Sequence, residues 1–294
     1  MDQYCGRFAP SPTGPLHLGS LFTAVASYLH ARQQDGKWLV RIEDLDPPRE
    51  VAGASDEILR TLEKFGLHWD ESVLYQSRRS QYYLGAIEQL RQQQKIFWCS
   101  CSRKELESFS VYPGHCHMYT SARADSAIRV RTDTNPISFE DLLQGRQDWL
   151  LTELGGDFVI RRREGLFAYQ LAVCVDDHAQ NINTIVRGID LYDSTCKQIH
   201  LQRLLGYATP TYAHLPILVN RDNQKLSKQT FARPIDEMDA RTCLLWVLNT
   251  LGLDPDCDLS LSEMLNWAIP RFDIAKLSGQ QQYPAPEFMP NNQC

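Results

Sequence analysis

The sequence predicts an α/β protein with a parallel, Rossmann-type sheet as its core, an insertion between the two halves of that sheet, and a small helical region near the C-terminal end. Three observations predict it. First, Tyr4–Phe8 reads as a short strand entering a Pro/Gly loop, Leu21–Gln34 as a helix and Trp38–Ile42 as an apolar strand. The helix carries Leu21, Ala24, Val25, Tyr28 and Leu29 on one face, and Asp35-Gly36 stops it. Strand, glycine-containing loop, helix and strand make the opening βαβ unit of a nucleotide-binding α/β fold. Second, residues 96 to about 156 differ in texture, with a cysteine cluster, a Tyr-Pro-Gly turn and a Thr/Asp/Asn/Pro stretch at 132–136. Third, regular α/β segments resume at Asp157.

The remaining elements follow in order. Ser55–Phe65 and Gln81–Gln94 are amphipathic helices, the first with Ser55 as N-cap and Gly66 as stop. Asp157–Arg161 reads as a strand, and Ala172–Val175, Thr184–Val186 and Ile217–Val219 as buried strands. Ser194–Leu205 is a helix capped by Ser194 and ended at Gly206. Ala240–Leu251 and Ser262–Ala268 are helices, and Gly279–Cys294, rich in Gln, Pro and Asn, is expected to be a loose tail. The expected organisation is a first half of the core over 1–95, the insertion over 96–156, a second half over 157–235, a small helical domain over 236–278, and the tail over 279–294.

At 294 residues the chain can bury a sizeable core. No apolar run approaches the ~20 residues that cross a bilayer. Met1-Asp2-Gln3-Tyr4-Cys5 lacks the basic-then-apolar pattern of a secretory signal. A cytoplasmic protein with no membrane partner is the expectation, and a monomer is the simpler one. The formal net charge of −6 argues against a nonspecific nucleic-acid coat but allows a local basic patch. Arg161-Arg162-Arg163 is one candidate, and a solvated strand end explains it equally well.

Chemistry concentrates first in Arg7 to Ser20. His17-Leu18-Gly19-Ser20 sits where the loop enters the first helix, a place where backbone N–H groups face phosphate. Gly19 allows close approach of backbone to ligand, Ser20 is a candidate cap, and His17 can donate to an α-phosphate as charge builds on it. Arg7 can grip a carboxylate bidentately, and Glu43, at the end of the next strand, can hold an ammonium in the same crevice. Asp44 and Asp46 are explained well as caps of a turn.

The second concentration is Lys225-Leu226-Ser227-Lys228-Gln229, after the turn Asn220-Arg221-Asp222-Asn223. Two lysines on a mobile loop can close over a triphosphate and neutralise departing pyrophosphate. A solvated basic turn is the commoner meaning of such a run, and only the first motif overturns it.

The segment GRFAPSPTGPLHLGS with VRIEDLD resembles the class I glutamyl-tRNA synthetases, HLGS matching their HIGH signature and KLSKQ their KMSKS loop. Gln229 replaces the final Ser and leaves both lysines in place. Phe167–Ala172 and Ile185–Leu191 resemble the family's Y-x-L-A and R-G-x-D-L elements. The resemblance implies catalytic roles for His17 and Lys228. It implies ATP binding, with Mg2+, by Pro10, His17, Gly19, Ser20, Lys225, Ser227 and Lys228. It implies L-glutamate binding by Arg7, Ala9, Ser11, Glu43, Tyr169 and Arg187. Without it, a core tyrosine and an Arg187–Asp190 ion pair explain two of these residues equally well. Asp176-Asp177-His178 invites a metal, but a strand-end polar cluster explains it as well.

Of nine cysteines, Cys5, Cys174, Cys196, Cys243, Cys257 and Cys294 are scattered. Cys99, Cys101 and Cys116 are clustered and offer three thiolates to one metal, with Tyr112, His115 and His117 as candidates for the fourth place. Ligand chemistry alone favours a histidine. A short branch of the family carries C-x-C…Y-x3-C, and that resemblance implies one structural Zn2+ on Cys99, Cys101, Tyr112 and Cys116.

Only about 65 residues follow Lys228, too few for the helical region with which full-length members read an anticodon. The expectation is therefore the truncated branch. It activates glutamate without tRNA and transfers it to the cyclopentene-diol of queuosine, at the wobble position of tRNA(Asp). Three rivals stand beside it. One is a minimal enzyme charging the 3′ end of tRNA(Glu); another is a nucleotidylyltransferase making a different adenylate. The third is a non-catalytic RNA-binding remnant, which the intact His17 and Lys228 argue against.

Overall fold

A computed structural model describes residues 3–226 and 234–286. The opening unit is β1 (Cys5–Phe8), α1 (Leu18–Gln33) and β2 (Lys37–Ile42), with β1 and β2 parallel from Cys5↔Lys37 to Phe8↔Val40. Helix α1 begins three residues before the expected start. His17 is its N-cap and Ser20 lies within its first turn, because the His17 ring accepts the Ser20 N–H. The helix is apolar on more than one face, with Phe22 and Ala26 buried beside Leu21, Val25 and Leu29. It is sandwiched between the sheet and a C-terminal helix, so no broad side meets water.

α2 (Ala54–Lys64) follows, with Gly53 at its N-cap in the left-handed region at φ 80° in place of the expected Ser55. β3 (Leu74–Tyr75) extends the first sheet beside β2, and α3 (Ser80–Gln92) leads into β4 (Ile96–Cys99). After the short α4 (Arg103–Leu106), β5 (Ala127–Val130) pairs antiparallel with β4. β6 (Ile137–Asp141) and β7 (Gly145–Trp149) form a hairpin, and β8 (Phe158–Arg161) closes the β4–β5–β8 sheet.

Ala172–Val175, expected as a strand, lies inside α5 (Tyr169–Ala179). Leu171 to Val175 are all buried, so the run shows no helical stripe and looks like an inner strand. β9 (Thr184–Gly188) is followed by α6 (Tyr192–Leu205), which has Leu191 as N-cap, so Ser194 is inside the helix and not its cap. β10 (Thr211–Leu215), which the apolar pattern did not reveal, pairs parallel with β9 and, at Tyr212↔Asp141, with β6. That pairing seats the β6–β7 hairpin on the second core sheet, in the order β7-β6-β10-β9.

β11 (Ile217–Val219), α7 (Ala240–Thr250), α8 (Leu261–Ala268) and β12 (Gln282–Pro284) complete the chain. Ser260 caps α8 through a capping box with Glu263. The expected loose tail is ordered over its first part, where β12 pairs parallel with β11, and residues 287–294 lie outside the described residues. Among the described residues no helix is long and apolar enough to cross a membrane.

β1 and β9 lie side by side where the two core sheets meet, joined by the Asn183 N–H donating to the Cys5 carbonyl at 3.0 Å. Arg7 and Phe8 end one of these strands; Arg187 and Gly188 end the other. The carboxyl ends of strands at such a junction are where open α/β sheets bind ligands.

Burial pushes the imidazoles of His30, His200 and His214 below the ordinary histidine value, so each sits neutral in the fold. Below that ordinary value the unfolded chain binds the extra protons, so stability falls as pH drops through it. Thermal melts are expected to give a lower Tm at about pH 5.5 than at about pH 7.5. A Tm that holds or rises over that interval would refute the effect.

Candidate active site

Leu226, from the described part of the second motif, comes close to the start of α1. His17 Nδ1 accepts the Ser20 N–H at 3.2 Å, so the proton of the neutral ring sits on Nε2. A Cβ added to Gly19 would stand 3.1 Å from that ring and 4.0 Å from the Leu226 carbonyl oxygen, so glycine here makes room for the histidine. The Leu226 N–H donates to the Leu218 carbonyl at 2.7 Å, which ties one end of the lysine loop to β11. The other end returns at Pro234, which bridges His17, and the Ile235 N–H donates to the Leu16 carbonyl at 3.0 Å. The two anchors bracket residues 227–233. Ser227, Lys228 and Gln229 lie outside the described residues. Lys225 reaches Asp190 at 2.5 Å, so Asp190 pairs with the loop lysine and not with Arg187.

A cavity of about 300 Å³ opens at the ends of β1 and β9. Arg7, Ala9, Ser11, Glu43, Tyr169 and Arg187 all line it, bringing together residues up to 180 positions apart. Phe8, Thr23, Val186, Gly188 and Leu191 complete the wall without having been singled out by sequence. Pro10, His17, Gly19, Ser20 and Lys225 are not in this lining; the Pro10 carbonyl instead accepts the Glu43 N–H at 3.0 Å and sets the strand end carrying that carboxylate. A recess of about 70 Å³ adjoins the cavity, shares Ser11, Glu43 and Tyr169 with it, and is bordered by Asp46, Arg49, Glu50 and Arg162.

The charges of the floor are organised by Asp177. Its Oδ1 takes Arg7 Nε at 3.1 Å and Arg41 Nη1 at 2.7 Å, and Arg41 Nη2 reaches Glu43 at 3.3 Å. Asp177 is 2% exposed; burial would raise its pKa, but Arg41 and Arg7 outweigh burial and hold it below the ordinary value. Burial pushes Glu43 and Tyr169 upward. Arg7 spends Nε on Asp177, and its terminal nitrogens make no hydrogen bond to the described residues. The adjacent Asp176 faces another way, accepting from Gln76 at 2.8 Å, Arg79 at 2.6 Å and Tyr83 at 2.7 Å. His178 stacks on Tyr207 at 3.8 Å. Asp176-Asp177-His178 is thus a helical segment whose side chains serve three separate sets of neighbours, neither a metal cluster nor a strand end.

Arg187 is 3% exposed and is held by Gln198, Thr195 and His214, at 2.8, 2.7 and 3.2 Å. His214 in turn meets Asp141 at 2.5 Å. No local signal marked Asp141 or His214, because they lie 46 and 27 residues from Arg187 and act on it only across the sheet.

The sulfur atoms of Cys99, Cys101 and Cys116 lie within 4.8 Å of one another. Tyr112 Oη stands 3.4 Å from Cys99 Sγ and accepts the Cys116 N–H at 3.0 Å. His117 is engaged with Asp157, and His115 packs edge-on against Phe109. Burial opposes ionisation of Cys116, but hydrogen bonds led by that from Tyr112 bring its thiol down to about 7; burial and thiol neighbours push Cys101 up to about 12. The cluster can hold a metal ion. The arginine run is tied locally: Arg161 to the Gly165 carbonyl, Arg162 to Asp46, and Arg163 to the Ser100 and Cys101 carbonyls.

Comparison with known proteins agrees with this geometry. The model of the catalytic domain of class I tRNA synthetases (E and Q) matches residues 5–112 and 113–256. A Pseudomonas aeruginosa PAO1 relative named Glutamyl-Q tRNA(Asp) synthetase is 48% identical over 94% of this chain and 96% of its own length. One of the same name from Dechloromonas aromatica RCB is 52% identical over 85% of this chain and 86% of its own. The crystal structure of glutamate-tRNA synthetase from Elizabethkingia anophelis superposes with a TM-score of 0.80 at 24% identity, over 96% of this chain and 68% of that one, a likeness of fold. With its pocket at the sheet junction, its helix-start histidine and matches along nearly all its length, this chain belongs to the class I tRNA synthetases for glutamate and glutamine, as an ATP-dependent ligase.

Proposed function

We propose that the protein activates L-glutamate with ATP, without tRNA, and transfers it to queuosine at the wobble position of tRNA(Asp) in the cytoplasm. The observation that carries this is the 300 Å³ cavity gathering Arg7, Glu43, Tyr169 and Arg187, in a chain whose near-full-length relatives bear the name Glutamyl-Q tRNA(Asp) synthetase. Two arginines suit the two carboxylates of glutamate, Glu43 suits its ammonium, and the Tyr169 hydroxyl can hydrogen-bond it.

A glutamate α-carboxylate oxygen attacks the α-phosphorus of ATP as the bond to pyrophosphate breaks. His17 Nε2–H and the N-terminus of α1 stabilise the charge gathering on the α-phosphate. Lys225 and Lys228 neutralise the departing pyrophosphate, and Mg2+ bound to ATP would screen its phosphates. Lys225 must exchange Asp190 for phosphate, which suits a closing loop. The acceptor's hydroxyl then attacks the mixed anhydride, and the bond to AMP breaks. The test is mass spectrometry of nucleosides from tRNA incubated with enzyme, ATP and glutamate. Glutamyl-queuosine is expected, and glutamate found only at the 3′ end of tRNA(Glu) would reject the proposal.

One structural zinc ion on Cys99, Cys101, Cys116 and Tyr112 belongs to the same proposal. Three sulfurs and a phenol oxygen gathered from β4 and the following loop fit such an ion, which would cross-link that loop. Metal analysis is expected to find one zinc per chain and a loss of more than about tenfold in zinc affinity in Cys116→Ser. Tyr112→Phe is expected to keep zinc but yield it faster to a chelator. A full, tightly held equivalent of zinc in Cys116→Ser would remove this ligand set.

A further inference from the structure

We propose that Asp141 and His214 are positioning residues for the carboxylate-binding arginine, so that the aim of Arg187 is set from the β6–β7 hairpin through one imidazole. The proposal rests on the glutamate reading of the pocket and adds to it what orients the guanidinium.

The hydrogen-bond directions follow from Arg187, which can only donate. Its Nε–H points at His214 Nε2 at 3.2 Å, so that ring nitrogen must carry a lone pair, and the Thr195 hydroxyl, 2.9 Å from the same nitrogen, then donates to it as well. The ring proton then sits on Nδ1 and is donated to Asp141 Oδ2 at 2.5 Å. Asp141 is saturated: its Oδ1 accepts the N–H groups of Leu143 at 2.9 Å, Gln144 at 3.0 Å and His214 at 3.3 Å. One carboxylate therefore fixes the hairpin turn, the place of β10 and the tautomer of His214 together. Asp141 and His214 side chains are both 0% exposed, so no water substitutes for either partner.

The rest of the guanidinium is equally constrained. Nη1 donates to Gln198 Oε1 at 2.8 Å and Nη2 to Thr195 Oγ1 at 2.7 Å, and the guanidinium lies over the Tyr212 ring at 5.4 Å. Of the five N–H groups of an arginine, these bonds use three, leaving one on each terminal nitrogen. Arg187 lines the pocket, and that remaining pair is the fork that matches a carboxylate. A His214 tautomer with its proton on Nε2 would set two donors face to face and turn the fork. Burial also holds the His214 imidazole neutral, consistent with a ring beside a permanent cation.

The test is glutamate-dependent ATP–pyrophosphate exchange, with KM for glutamate and KM for ATP measured separately and Tm measured alongside. His214→Asn keeps a donor for Asp141 but removes the acceptor for Arg187, and is expected to raise the glutamate KM by roughly tenfold or more. His214→Gln can place its amide oxygen where Nε2 lies but leaves Asp141 Oδ2 without its donor, and is expected to raise the glutamate KM by about threefold to tenfold, less than His214→Asn. ATP KM is expected to change little in both. Should His214→Asn fail to fold, Thr195→Val, which removes the hydroxyl that Arg187 and His214 share with little change of shape, is expected to raise the glutamate KM by about threefold to tenfold. A lowered Tm with an unchanged glutamate KM in a folded variant would overturn the proposal and leave a purely structural network. Absence of glutamate-dependent exchange in the wild-type protein would overturn the glutamate reading and this inference together.

Discussion

Replacing His17 with alanine is expected to lower glutamate-dependent pyrophosphate exchange by about 10² to 10³, the effect of removing one preorganised donor from a developing oxyanion. The substitution also removes the N-cap of α1, at a cost of about 1 kcal/mol. The two effects separate in His17→Asn. Asparagine caps a helix as well as any residue and can accept the Ser20 N–H that His17 Nδ1 accepts at 3.2 Å. It does not reach where the ring's Nε2–H reaches. His17→Asn is therefore expected to keep the wild-type Tm within about 2 °C and still lose exchange activity by about 10². Full activity in a stable His17→Asn protein would show that the histidine caps a helix and does no chemistry.

The second large effect is expected at Asp177. Arg41 is completely buried and Arg7 is 4% exposed, and both guanidiniums rest on one Asp177 oxygen. Asp177→Ala leaves two positive charges in the core with Glu43 and the more distant Asp176 to balance them. Breaking a buried ion pair from one side costs about 3–5 kcal/mol, so Tm is expected to fall by on the order of 10 °C. Any folded protein is also expected to show a raised KM for glutamate, because Arg7 lines the pocket and loses the group that holds it. Asp177→Asn retains shape and one acceptor, and a smaller loss of the same sign is expected. Thermal denaturation of the three proteins decides it, and a Tm for Asp177→Ala within about 2 °C of wild type would refute this account of the floor.

The contrast between these two residues shows what was legible in the chain. His17 stood out in the chain because its setting is local: a loop enters a helix there, and the ring reaches a backbone N–H three residues on. The exact start of α1 was not readable, since Ser20 looks the better cap and only the loop's path awards the place to His17. Asp177 was visible as an acid in an acidic pair, but its partners lie 170 and 136 residues away. Ala172–Val175 misled for a related reason. Helix α5 is buried around that stretch, and a helix without a wet side shows no periodicity of 3.6. The cysteine cluster was readable through the spacing of its ligands. Around it, Tyr112 stands beside Cys99 while His115 and His117 serve Phe109 and Asp157.

The sequence by itself determined the class of chemistry, because phosphate binding at a helix start and a lysine-bearing loop each need only a few contiguous residues. It also determined which side chains were candidates for one amino-acid pocket. Only the tertiary structure decided that Arg7, Glu43, Tyr169 and Arg187 share one cavity, and what aims them. Buried charges must be matched by partners that exclude water, and those partners come from whichever strand or helix lies nearest in space. Asp177 for Arg7, and Asp141 through His214 for Arg187, are chosen by the packing of the two sheets against each other and carry no mark along the chain.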